Sequence, residues 1–308
     1  MPQSTDRILV AVSGGVDSVY LLHLLSITNE VGIAHFNHNL RPESAMEQKF
    51  VERLANRYKC PIYVGSADVN QYCKDNKVSI ELGARELRRA FLANTMRNEK
   101  YDWLALGHHV NDQAETVLLN LMRGSGIHGL SAMKEVDDEH KIIRPLLKMT
   151  KDNIYKCAKE LDLRWYEDSS NKSLKFDRNW VRNFLLVKMQ TRRRGVVETL
   201  ADAADRFSSM SDYFKRQSRQ WIDTHVTANK FLATSLLAEH PAMQAEIIRE
   251  LWEDRHGRCT NFTSKRVYEV IKWLSSNPDG GSKIHFGEYD MTIRKGEVFI
   301  IDKPEQGV

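Results

Sequence analysis

The sequence predicts an α/β fold: a mostly parallel, doubly wound sheet joined to a smaller helical domain that ends in a short β meander. Three observations carry that reading. Apolar strand-like runs alternate with helical patterns through the first half of the chain. The first run passes through a pair of glycines directly into an apolar-periodic helix. Beyond about residue 195 the alternation stops, helical patterns dominate, and short strand-like runs appear only at the end.

Strand signals fall at 8–12, 31–36, 62–64 and 103–106. Helical patterns fall between and after them at 19–26, 43–59, 79–99 and 111–122. A parallel sheet follows, with helices on both faces. Helical patterns resume at 196–219, 244–252 and 264–274, and 277–281 is a turn-rich break. Short strands follow at 283–286, 289–294 and 297–301, with Lys295-Gly296 as a hairpin turn. This predicts a first domain over 1–193 and a second over 194–308.

In open α/β sheets, ligands sit beyond the carboxyl ends of the strands. Polar residues follow three of the four strands. After the first comes Ser13-Gly14-Gly15-Val16-Asp17-Ser18. A strand, a glycine turn and a helix start make an anion site, because the leading N–H groups are unpaired and the dipole favours negative charge. The loop lacks the lysine of G-x-x-x-x-G-K-[ST] and is not G-x-G-x-x-G. A carboxylate beside phosphates repels them unless a cation intervenes, so Asp17 suggests Mg²⁺. His35 and His38 follow the second strand. After the fourth comes Gly107-His108-His109-Val110-Asn111-Asp112-Gln113-Ala114-Glu115-Thr116, with Asn111 as a helix cap and Asp112 as a second oxygen donor for the same cation. The histidines have no further Cys or His at zinc spacing.

Cations are the other recurrent feature. Arg85 shares a helix face with Arg88 or Arg89. Arg123 opens a glycine-rich stretch that runs to Leu130. Arg178 and Arg182 lie one turn apart beside Asn179, and with Arg192, Arg193 and Arg194 they form a stripe able to track a phosphate backbone. A surface salt-bridge patch is the plain alternative for Arg85 to Arg89, and a solvated helix end for Arg192 to Arg194. Lys188, Lys215, Arg216 and Arg219 add to the charge past the middle.

The 308 residues carry a net charge of +4, with 42% hydrophobic and 28% charged. That suits two globular domains and falls short of a dedicated basic nucleic-acid module. No run reaches the roughly 20 apolar residues of a membrane span. The first seven residues lack an apolar signal core, which predicts no export. Cys60, Cys73, Cys157 and Cys259 are scattered, which fits free thiols in a reducing, cytoplasmic compartment.

The ordered motifs resemble the tRNA(Ile)-lysidine synthetase family. The hexapeptide alone marks the PP-loop superfamily of ATP pyrophosphatases. His35-Phe36-Asn37-His38-Asn39-Leu40-Arg41, Ala84-Arg85 with Arg88, and residues 107–116 add to it. Arg123-Gly124-Ser125-Gly126 with Gly129-Leu130, Arg144-Pro145-Leu146-Leu147, Glu167-Asp168-Ser169-Ser170-Asn171 and Arg178-Asn179 with Arg182 complete the set. The resemblance runs from residue 8 to about 189 and rests on layout alone thereafter. Asn111 replaces an Asp, Arg89 a Tyr and Val187 a proline, and by this resemblance the extra C-terminal domain of longer members is expected to be absent from the sequence.

The resemblance implies ATP-dependent joining of L-lysine to C2 of the wobble cytidine of a CAU-anticodon tRNA(Ile), through an adenylated cytidine, with AMP and pyrophosphate released. It implies ATP contacts at residues 13–18, His35, His38, Gly107 and His108, and Mg²⁺ at Asp17 and Asp112. It further implies catalytic roles for Asp17, Asp112, Arg88 and Arg85. RNA contacts would come from Arg123, Arg178, Asn179, Arg182, Arg192, Arg193 and Arg194. It leaves room for a homodimer. Asp112, Glu115, His108 and His109 are all candidates to deprotonate lysine. A PP-loop tRNA thiolase and a non-catalytic nucleotide-responsive RNA-binding protein are the rival readings.

Overall fold

The computed structural model describes residues 2–38, 44–166, 177–256, 262–277 and 280–302. The motif residues Asn39, Leu40, Arg41, Glu167, Asp168, Ser169, Ser170 and Asn171, with Cys259, Pro278 and Asp279, lie outside the described residues. Two compact units form: residues 1–125 with 129–205, and 126–128 with 206–308.

The elements begin β1 (Arg7–Ala11), α1 (Val16–Ser26), β2 (Glu30–Asn37), α2 (Ser44–Tyr58), β3 (Ile62–Ser66), α3 (Val69–Asn76) and α4 (Ile80–Asn98). They continue with β4 (Trp103–Ala105), α5 (Val110–Met122), α6 (Ile127–Leu130), β5 (Val136–Asp137), β6 (Ile142–Ile143) and α7 (Lys151–Glu160). After the undescribed stretch come α8 (Asp177–Trp180), a π-helical turn (Val181–Leu185), α9 (Leu186–Arg192) and α10 (Val196–His225).

The first sheet runs in the order β3-β2-β1-β4-β6-β5. All its pairs are parallel except β5 with β6. β1 lies inside the sheet because it is apolar without interruption from Ile8 to Ala11, so both its faces can be covered. Ile8, Leu9 and Val10 are all fully buried. Ile8 and Val10 join a core with residues from α1, α2 and α7, while Leu9 and Ala11 join another with Leu92 of α4. This is the period-two division expected of a strand between two helical layers. A third cluster sets Val110, Ala114 and Leu118 of α5 against Val181, Leu186 and Val196.

The sheet's order fixes where a ligand binds. From β1 the chain moves outward through β2 and β3, then returns to place β4 on β1's other side, with Val10 opposite Ala105. The carboxyl ends of β1 and β4 therefore flank the topological switch point.

The second unit contains β7 (Lys230–Leu232), α11 (Ala233–Leu237), α12 (Pro241–His256), α13 (Ser264–Ser276), β8 (Gly280–Phe286), β9 (Tyr289–Arg294) and β10 (Glu297–Asp302). The expected three-strand meander is present and gains a fourth strand, since β7 pairs with β10 in the order β7-β10-β9-β8. Lys295 and Gly296 both take positive φ, as a tight hairpin requires. Phe286, Met291, Ile247 and Leu236 fill the core. Among the described residues, no helix is long and apolar enough to cross a membrane.

Candidate functional site

The loop between β1 and α1 is shaped by its own serines. Ser18 Oγ accepts from the backbone N–H groups of Ser13 and Gly14, each at 3.2 Å, and donates to Gly15 O at 2.9 Å. Ser13 Oγ lies 3.3 Å from Ser18 Oγ. The hydroxyls thus curl the backbone over the start of α1, where unpaired N–H groups gather. Gly14 takes φ +97, in the left-handed region. A Cβ there would meet nothing closer than 3.5 Å, so the penalty for a side chain lies in the backbone. Gly14→Ala is expected to lower unfolding free energy by about 1–2 kcal/mol, measured by denaturant titration.

The loop after β4 runs against the same helix start. A Cβ on Gly107 would stand 3.4 Å from the Asp17 carbonyl carbon and the Ser18 nitrogen. This close approach brings Asp17 and Asp112 together, with His109 between them. His109 Nε2 is 3.3 Å from Asp112 Oδ2 and 3.9 Å from Asp17 Oδ1. Asp17 Oδ2 pairs with Lys151 Nζ at 2.5 Å, whereas its Oδ1 is buried with no hydrogen-bond partner. Asp112 is more fully engaged. Its Oδ2 accepts the His109 backbone N–H at 3.1 Å, and its Oδ1 faces Arg178 Nη2 at 3.2 Å and Arg182 Nη2 at 3.1 Å. Burial alone would raise the Asp112 carboxyl, but His109, His108, Arg178 and Arg182 outweigh it and hold the group below its usual range.

Glu115 is fully buried and takes Arg178 Nε at 2.9 Å, Arg182 Nε at 2.6 Å and Arg182 Nη2 at 2.9 Å. Two carboxylates one turn apart on α5 thus meet two guanidiniums from the segment that follows residue 176. Removing either partner from such a network costs on the order of 3 kcal/mol, because a charge is left unpaired. Arg178 and Arg182, expected on an outward RNA-tracking stripe, are therefore committed inward. Asn179 beside them is half-buried. Arg123, Arg192, Arg193 and Arg194 are exposed. Lys215 and Arg219 of the basic run pair with Glu253 and with Glu250 and Asp254. Gly126–His128 belongs to the second unit, where His128 lies 2.8 Å from Ser211 Oγ and 2.5 Å from Glu246 Oε2.

The histidines and remaining arginines surround the same strand ends. His35 is buried and donates Nδ1–H to Val12 O at 2.9 Å, and burial lowers its pKa. It is thus a neutral imidazole with Nε2 left as acceptor. His38 packs its ring edge-on to Phe36, centroids 4.9 Å apart. Burial pushes His108 down to about 4 against the usual 6.5; Asp112 opposes this, while Arg144, Arg178 and Arg88 add to it. Arg85, Arg88 and Arg89 are exposed on α4, and loss of water first, then Arg89, Arg178 and Arg123, lowers Arg85 as well. Such a gathering of cations suits a polyanion.

The His108 shift has a pH consequence. Its folded-state pKa is depressed, so between about 6.5 and about 4 the unfolded chain binds more protons than the folded one. Its contribution is complete above about 6.5 and is lost as pH falls through about 4. The thermal midpoint is expected to fall across that window, and His108→Gln should flatten the slope.

One site residue, Lys151, is not visible in the sequence pattern, Arg144 is visible there only as a motif residue without a role, and Asn111 was misread. Lys151 occupies the first position of α7, where a cation opposes the dipole; that mismatch was the available signal for an anion nearby. Arg144 is half-buried and donates to Lys134 O at 2.7 Å, with Nε buried and unpartnered. Asn111 does not cap its own helix. α5 starts one residue earlier with His109 as its cap, and Asn111 Oδ1 instead accepts the Lys151 backbone N–H at 3.0 Å. Among the described residues, Cys60, Cys73 and Cys157 are free thiols, and no three His, Cys, Asp or Glu gather as a metal-binding cluster.

Comparison with known proteins agrees with this arrangement. The PP-loop domain family matches residues 1–189. The chain is similar to the tRNA(Ile)-lysidine synthase of Clostridioides difficile, 29% identical over 98% of this chain and 68% of that protein. It is also similar to the tRNA(Ile)-lysidine synthase of Pseudothermotoga lettingae, 36% identical over 96% of this chain and 66% of that protein. The chain thus spans about two thirds of the length of these two relatives. Among solved structures, the U34-tRNA thiolase NcsA of Methanococcus maripaludis with its 4Fe–4S cluster superposes with a TM-score of 0.56. It is 18% identical, covers 67% of this chain and 73% of its own, and shares the fold.

Proposed function

The chain belongs to the PP-loop domain family, and from that premise we propose that it joins L-lysine to C2 of the wobble cytidine of an isoleucine tRNA bearing CAU. The reaction consumes ATP and releases AMP and pyrophosphate. The observation that carries this reading is the meeting of the 13–18 loop with the His108 to Asp112 segment at the switch point of the sheet. The relatives named tRNA(Ile)-lysidine synthase support the choice of substrates.

The cytidine C2 oxygen attacks the α-phosphorus of ATP, the α–β bridge breaks, and pyrophosphate leaves. The lysine ε-amine then attacks C2, the C2–O bond breaks, AMP leaves with its electron pair, and the amine loses a proton. The backbone N–H groups of the 13–18 loop hold the departing pyrophosphate. Arg88 and Arg85 offset charge that develops on the phosphates. Asp17 is the residue that would hold Mg²⁺, because its Oδ1 is buried and has no hydrogen-bond partner; when bound, the ion would supply positive charge to offset that of the phosphates. Asp112, with both oxygens engaged, acts chiefly by fixing His109, Arg178 and Arg182.

Among the four candidate bases, geometry favours His109. Both Glu115 oxygens are taken by guanidiniums, which leaves neither free to meet an amine, and His108 is held down to about 4, which leaves it weak as a proton acceptor. Asp112 Oδ2 beside His109 Nε2 keeps the proton on that nitrogen, and Nδ1 is buried with no partner.

The test is incubation with ATP, carbon-14 lysine and the isoleucine and methionine tRNAs that share CAU, followed by nucleoside analysis. Label confined to the isoleucine tRNA, with one AMP per lysine, is the expected result. Sulfur incorporation without lysine, or ATP binding without AMP release, overturns the proposal.

A further inference from the structure

The segment that supplies Arg178 and Arg182 also has an outward face that the site does not use. Its inward face is fully occupied. Val181 is fully buried and Leu186 is 4% exposed against the apolar stripe of α5, while the two arginines hold Glu115 and Asp112. Between them the chain makes a π-helical turn, in which the Leu186 N–H reaches back to Val181 O. Such turns insert one residue into a helix and are frequent at functional sites.

On the outer side Phe184 is 45% exposed and Val187 48% exposed. Phe184 is stacked on Trp180, with centroids 5.6 Å apart and planes 30° apart, and Trp180 is anchored in the apolar cluster beneath. Lys188, Arg192, Arg193 and Arg194 continue the exposed face, and among the described residues none of them pairs with a carboxylate. Residues 181–194 contain no Asp or Glu. An exposed large aromatic on a rigid base is not explained by burial, and four unneutralised cations beside it are not explained by an apolar partner.

We propose that Phe184, backed by Trp180, is a stacking platform for an unpaired base of the RNA substrate, with Lys188 and Arg192 on the adjoining phosphates. This rests on the reading above that the substrate is RNA. A single strand offers both things the face lacks, a π-surface and a run of negative charge. Charge decides against a second copy of the chain as the occupant, since identical basic stripes repel. The platform adds what Arg178 and Arg182, turned inward, do not provide: a hold on a base.

The experiment measures fluorescence anisotropy of a labelled anticodon stem–loop RNA bearing CAU, with the full chain, across a salt series. Phe184→Ala is expected to weaken binding about 10-fold or more and to leave the salt slope unchanged. Phe184→Trp should restore affinity, and Lys188→Ala should lower the salt slope by about one. Because Phe184 is exposed, the thermal midpoint of Phe184→Ala should match the wild type. In lysine ligation, the KM for RNA should rise more than kcat falls, with the KM for ATP unmoved. Equal RNA affinity of Phe184→Ala and wild type overturns the platform alone if the wild type still ligates lysine. Wild-type protein that binds no RNA overturns both the platform and the RNA reading. Self-association lost in Phe184→Ala, with RNA affinity unmoved, overturns it in favour of a second copy.

Discussion

Asp17→Asn is expected to cut AMP and pyrophosphate formation by about 100- to 1,000-fold, the usual cost of deleting one preorganised electrostatic element, while leaving the chain folded. The substitution keeps the shape and removes the charge. Asp17 stands in the first turn of α1, the place where phosphates are drawn by unpaired N–H groups, so a carboxylate there opposes the ligand unless it brings a cation. Its two oxygens are unequal. One is covered by Lys151 Nζ at 2.5 Å, and the other is buried without a partner. An orphaned carboxylate oxygen in a folded chain is costly and calls for a group that the protein itself does not supply. Asparagine would still accept from Lys151 but would hold a divalent cation far more weakly. Rapid-quench measurement of AMP across a magnesium series tests this. The defect should persist at saturating ATP, since the charge acts on the transition state. Turnover within threefold of wild type at ordinary magnesium would sink the assignment, and a defect that vanished at high ATP would reduce Asp17 to a binding role.

Much of this site was legible because its central parts are local in sequence. β1, the 13–18 loop and α1 are contiguous, and an uninterrupted apolar run followed by glycines and a periodic helix has few other solutions. The strand-end rule then found residues 107–116 without any knowledge of contacts, since β4 sends its polar residues to the same edge as β1. What escaped was settled by contacts remote in sequence. Lys151 meets Asp17 across 134 positions, and Arg178 meets Glu115 across 63. A basic run reads the same whether its members face water or buried carboxylates, so the inward turn of Arg178 and Arg182 left no mark on the local pattern. α3 was missed for another reason: its sequence, Val69 to Asn76, is mostly polar and buries only Val69 and Cys73. Asn111 misled because Asn before a helix is a common cap, yet here it caps the neighbouring helix that Lys151 begins.

The second large effect belongs to lysine's proton. An ε-amine with a pKa of about 10.4 is almost wholly protonated at neutral pH, so the second half-reaction needs a base and the first does not. His109→Asn is therefore expected to slow transfer of lysine by about 100- to 10,000-fold near pH 7, with much less effect on the pyrophosphate released in forming the adenylated cytidine. The asymmetry follows from geometry. His109 Nε2 is tied up beside Asp112 and Asp17, and the buried Nδ1 has no internal partner. Asparagine keeps a polar group at this position, so Asp112 retains a neighbour and the network with Arg178 and Arg182 should survive. The defect should shrink as pH rises toward 10.4, because each unit raises the free-amine fraction roughly tenfold. Single-turnover assays that follow pyrophosphate and labelled lysine separately decide the matter. If both half-reactions slow equally and the loss is flat with pH, His109 positions the nucleotide and the base lies elsewhere. If only lysine transfer slows and alkaline pH recovers it, the carboxylate–imidazole pair at the head of α5 is the proton acceptor, and a helix start lying against the phosphate-binding loop times the attack.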